Sequence, residues 1–220
     1  MREVLSLLKQ KLCVIIVICK IHIILVILFR HLNTIGRART TEEVVSLKAD
    51  IDNKLNKLII PEGKIRMKYL FNHILSAYYF AIYDDLESLK SVIKNVTLIE
   101  ENPNEFGEEP NILISTLTNG VYLAMKNKEV ENAQALYNKL KLLYTKAEDE
   151  GSKDVVLKVK SSLISLELLL VKLTCDFKKF EKLTPTIFEF ISQNKKNLNE
   201  SRLAFLYYNI AHILFIQDKF

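Results

Sequence analysis

Apolar residues recur at steps of three and four along most of the chain, and short polar clusters interrupt them. Val44, Leu47, Ile51, Leu55 and Leu58 form the first such stripe. That spacing keeps the side chains on one face of a helix. Thr40 and Glu43 precede it at the spacing of a capping box, in which each side chain satisfies a backbone N–H of the other. Pro61-Glu62-Gly63 closes it. The same periodicity predicts helices over about 64–82 and 85–100. Asn102–Glu109, with Pro103 and Gly107, reads as a loop. Pro110 suits the first turn of the next helix, where its missing N–H costs nothing, and that helix reaches about Lys126. Four more follow over about 129–148, 152–174, 176–193 and 200–216. Gly151 offers a C-cap and Ser152 an N-cap. Pro185 falls inside its helix, so a kink or break is expected there.

Short polar loops between such helices make neighbours antiparallel. Residues 64–82 and 162–174 are apolar on more than one face, which suits helices sandwiched between others. The expected fold is all-α, built of stacked antiparallel helical hairpins. Composition agrees. Only 5 Gly and 4 Pro occur in 220 residues, too few for the many tight turns of a sandwich, barrel or Rossmann fold.

Leu12–Phe29 has a different character. Fourteen of its residues are Leu, Ile, Val or Phe, and the exceptions are Cys13, Cys19, Lys20 and His22. As a helix it would reach about 27 Å, near the thickness of a bilayer core. A central Lys costs roughly 2.5–3.5 kcal/mol on insertion and each apolar residue returns roughly 0.3–0.6, so the sum favours insertion. Three readings stay open: a transmembrane anchor, a segment packed on the neighbouring helix, or a start not native to the domain. No small-x-small site follows Phe29, which argues against a cleavable signal peptide. Residues 1–39 are thus an apolar, basic segment, and 40–220 a helical domain.

The net charge of +5 also sits mainly at this end. Residues 1–41 hold seven Lys or Arg and one acid, which leaves 24 basic against 25 acidic residues elsewhere. The helical body has no basic excess of the kind nucleic-acid binding uses, so no nucleic-acid partner is expected. Three cysteines without framework spacing argue against a secreted disulfide scaffold. A cytoplasmic location is expected, with a membrane tether if Leu12–Phe29 spans one.

Self-comparison suggests a repeat. Ile74–Phe80, Leu117–Leu123 and Tyr208–Leu214 each carry a small residue, Ala77, Gly120 or Ala211, between aromatic or aliphatic neighbours. A small residue there would let two helices of a hairpin approach closely. Leu168 takes the slot in a fourth copy, and the intervals are 43, 48 and 43 residues. Polar breaks follow, at Asp84-Asp85-Leu86, Asn127-Lys128-Glu129 and Asp176-Phe177. The stretch Leu206–Phe220, and Glu129–Ala133 as the start of a second helix, resemble a degenerate tetratricopeptide-repeat array, and the likeness covers about 64–220. The intervals exceed the family's usual spacing of about 34 residues, and its closing Pro is mostly missing. The chain ends where a second helix is due, so a longer array, or completion by a partner, is expected.

Chemistry is sparse. None of His22, His31, His73 and His212 has a second ligand at metal-binding spacing, and Cys13 and Cys19 stand six apart. Each glycine is isolated, so there is no phosphate loop. Cys175 has no His nearby in sequence, and the acid clusters Glu100-Glu101 and Glu148-Asp149-Glu150 lie at solvated helix ends. No catalytic residue, metal or cofactor is expected. The tetratricopeptide resemblance implies a groove lined by first helices of hairpins. Its lining would include Ile74, Tyr78, Val121, Tyr208 and His212, with Asn119 and Asn209 as hydrogen-bonding groups for an extended peptide. A core role competes for the tyrosines, and a structural one for His212. The family's lysine clamp for a terminal carboxylate is not apparent. The expected function is a non-catalytic scaffold that binds a protein partner's peptide or helix on a concave helical surface. The alternative is a regulatory or sensor domain of a longer signalling protein.

Overall fold

A computed structural model describes residues 65–198 and 200–217, with positions 49 and 53. Leu12–Phe29 and nearly all of the helix expected over 40–60 lie outside the described residues. Among the described residues there are eight helices and no strand. They are α1 (Ile65–Ala81), α2 (Asp85–Glu101), α3 (Pro103–Phe106), α4 (Pro110–Lys126), α5 (Val130–Asp149), α6 (Lys153–Thr174), α7 (Phe177–Asn194) and α8 (Glu200–Gln217). The protein is thus all-helical over this span, and none of these helices is long and apolar enough to cross a membrane.

One detail differs from the expectation, and another narrows it. The polar stretch after α2 contains the one-turn helix α3. Pro185 does not end its helix, and α7 runs through it from Phe177 to Asn194. A proline removes one N–H and so strips a partner from the carbonyl four residues back, here that of Glu181. Pro185 and Glu181 are both exposed, so water can serve that carbonyl.

The turns between helices repeat one geometry. The links α1–α2, α4–α5, α5–α6 and α6–α7 each place one residue in the left-handed region: Tyr83 (φ 62), Lys128 (φ 61), Gly151 (φ 68) and Cys175 (φ 52). The next residue is the N-cap of the following helix, with ψ of 68, 72, 74 and 75 at Asp84, Glu129, Ser152 and Asp176. Each N-cap N–H donates to the carbonyl five residues back: Asp84 to Tyr79 (2.8 Å), Glu129 to Ala124 (2.9 Å), Ser152 to Ala147 (2.9 Å) and Asp176 to Val171 (3.2 Å). These bonds satisfy carbonyls that a helix end leaves unpaired. Asp84 and Asp176 also accept from the N–H three residues on, whereas Ser152 makes no side-chain cap.

The chain forms two compact units, which meet in sequence between Glu105 and Phe106. In the first unit α1 packs on α2. Two hydrogen bonds cross their contact: the Ser88 hydroxyl donates to the Ser76 carbonyl (2.8 Å), and the Asn95 amide donates to the Tyr69 carbonyl (3.0 Å). Arg66 donates to the Glu105 carbonyl and lies 3.8 Å from its carboxylate. Ala77, expected at the close approach, is exposed. One residue is about 100° of helix, so Ser76 takes the facing position instead.

In the second unit α6 is central and packs against α4, α5, α7 and α8. This is the sandwiched position its all-round apolar sequence predicts. Its Leu168 and Val171 join Phe180, Ile187, Phe190 and Ile191 of α7 and Leu206, Ile210 and Ile213 of α8 in one buried cluster. Arg202 fastens α8 to α6 by donating to the Ser161 hydroxyl (2.6 Å) and the Lys158 carbonyl (3.2 Å). Burial holds the Arg202 pKa below its usual value. Gly120 and Leu168 are buried, but Ala211 is exposed.

Candidate functional site

The residues expected to line a groove separate by burial. Ile74 and Tyr78 are buried in the first unit, Tyr78 to 2% exposure, and so serve its core. In the second unit Val121 is buried and Asn119 exposed. Asn209 is also buried, and its amide donates back to the Phe205 carbonyl at 2.8 Å. Tyr208 is accessible, at 61%. It stacks on His212 with ring centroids 5.9 Å apart, and the Lys172 ammonium stands 6.0 Å from its ring. His212 is half-buried, and its Nδ1 has no hydrogen-bond partner. The structure therefore joins Tyr208 and His212 on α8. Asn119 and Val121 sit on α4, and α6 packs against both helices.

A different concavity lies in the second unit. The C-terminal half of α4, the turn at Lys128, the first half of α5, the second half of α6 and the start of α7 enclose an open cleft of about 650 Å³. That is within the range of roughly 300–1,000 Å³ typical of ligand-holding clefts. Its walls are apolar: Val121, Ala124 and Met125 from α4, Val130 and Ala133 from α5, and Leu166, Leu170 and Leu173 from α6. Val130, Leu170 and Leu173 remain exposed, at 75%, 37% and 50%. Lys126, Lys128, Lys141 and Lys179 also line the cleft.

The carboxylate of Glu167 lies among them. Its Oε1 accepts from the Tyr137 hydroxyl at 3.0 Å, and its Oε2 lies 3.4 Å from the Lys179 ammonium. Burial of the ring, the nearby Glu167 charge and that hydrogen bond together push the Tyr137 pKa up to about 12. Lys141 stands 4.8 Å from the centroid of the same ring. Phenol, carboxylate and ammonium thus occupy one another. Such a chain fixes the three side chains against one another.

The cleft was missed in the sequence because it draws on four helices. One local signal existed. Glu167 interrupts the run Leu163–Val171, and an acid within an apolar helix run needs a partner. Among the described residues no group of three or more His, Cys, Asp or Glu could hold a metal ion. No family model, no curated protein and no solved structure matches the chain.

Proposed function

We propose that this protein is a non-catalytic interaction module that binds a segment of a protein partner in the α4–α7 cleft. The observation that carries this reading is the convergence of Val130, Leu170 and Leu173 on one concavity while each stays accessible. Scattered exposed apolar residues are ordinary, but apolar residues gathered in a concave, polar-rimmed site mark a place where a partner removes them from water. The neighbour scheme of the second unit supports a stacked-hairpin, tetratricopeptide-like arrangement. First helices α4, α6 and α8 contact in succession, and α5 packs against both α4 and α6. The repeated turn geometry supports it as well. Such stacks present concave surfaces built from rigid helices.

Recovery of partners from cells that express the full chain tests this. A Leu170→Asp, Leu173→Asp variant should lose its specific co-purifying protein at least fivefold. Leu142→Asp, at an exposed site away from the cleft, should lose none. Equal recovery on all three baits, each shown helical by circular dichroism, would contradict the reading.

A further inference from the structure

Resting on that reading and narrowing it, we propose that the cleft's occupant is an amphipathic α-helix whose apolar stripe is flanked by Asp or Glu residues. Charge supplies the first argument. Four lysines line the cleft against one carboxylate, Glu167, whose two oxygens are already engaged by Tyr137 and Lys179. Lys128 and Lys141 form no ion pair with any described residue. The acids nearest the rim in sequence, Glu129 and Glu131, are exposed and do not line the cleft. A basic partner would meet unmatched like charge here, and an acidic one would be steered in and held in register.

The backbone supplies the second argument. The walls are helices, which pair their own N–H and C=O groups, and among the described residues there is no strand edge to extend. The amide lining the cleft, that of Gln134, donates to Asn138 Oδ1 at 2.8 Å. An extended peptide would leave its polar backbone against apolar side chains without partners. A helix arrives with those bonds made. It needs only apolar residues at i, i+3 or i+4, and i+7 to meet Leu170, Leu173 and Val130. Carboxylates beside that stripe then face Lys128 and Lys141.

A random displayed library of peptides about 14 residues long, roughly four helical turns, selected on the full chain, tests this directly. Counter-selection on Leu173→Asp isolates binders that depend on the cleft. These should carry apolar residues at helical spacing and a net acidic charge. Lys128→Glu with Lys141→Glu should weaken them at least tenfold, and added salt should weaken them too. Cleft-dependent binders that are basic, or that lack a helical period, would overturn the proposal and leave the docking reading standing. Binders indifferent to Leu173→Asp would sink both. Binding to phosphatidylserine vesicles, with no peptide recovered, would replace the helix with a lipid surface and also overturn it.

Discussion

Tyr137 shows how a single side chain records its surroundings. Its hydroxyl is half-buried against Glu167, and all three causes of its shift favour the neutral phenol. The folded pKa of about 12 lies above the ordinary 10, so the protonated form is preferred in the folded state. The stability this contributes is complete below about pH 10 and is lost as pH climbs through about 12. Phenolate absorbance during an alkaline titration checks this. Tyr137→Phe should remove a component that titrates near 12, and removal of one near 10 would contradict the geometry. Tyr144 rises to about 12 as well, chiefly through its hydrogen bond to Glu148, so only the difference between variant and parent is informative. At this scale the sequence was partly legible. Glu167 is an acid within an apolar run, but its partners come from residues 137 and 179, and only folding brings them near. Asn209 is hard to read for the opposite reason. An Asn on a helix can satisfy itself on the carbonyl four residues back, and a sequence does not display that choice.

Among the elements, the hairpin turn is the unit that repeats. Four links use one left-handed residue followed by one N-cap, yet only one of the four has glycine in the left-handed position. A side chain there costs roughly 1–2 kcal/mol from the clash of Cβ with the backbone, and part of that is offset because glycine loses more freedom on folding. Tyr83→Gly and Cys175→Gly, both at exposed positions, should therefore each stabilise the fold by about 0.5–1 kcal/mol. Gly151→Ala should cost about 1 kcal/mol. An added methyl there meets nothing within 4 Å, so any loss comes from backbone strain alone. Urea melts of the three variants check both signs. A destabilised Cys175→Gly would mean that the thiol contributes more than its turn conformation costs. Helix limits were largely readable, because caps, Pro110 and Gly151 act locally on backbone N–H and C=O groups. The interval of small residues was less so. Burial at Gly120 and Leu168 fits it, but Ala77 and Ala211 face outward, and Ser76 makes the close approach in the first hairpin. A shift of one residue around a helix is enough to exchange those roles.

At the level of the whole molecule, the cleft belongs wholly to the second compact unit. All-helical architecture followed from scarce glycine and proline and from an apolar period near 3.6 over most of the chain. The position of the cleft did not follow, because it depends on how far α5 and the end of α6 stand apart once α6 has packed on four neighbours. Periodicity says which face of a helix is apolar. It does not say where two such faces fail to close on each other. The exposed leucines of α6 are that failure, and the proposed partner helix would close it.

Site-specific photo-crosslinking of the full chain in cells reads partner contact at chosen positions. A photoreactive residue at Leu173 should give a discrete adduct with a partner, and the same residue at Leu142, which is exposed outside the cleft, should give none. Equal adducts from both positions, or an adduct from Leu142 alone, would contradict the cleft as the place where this protein meets its partner.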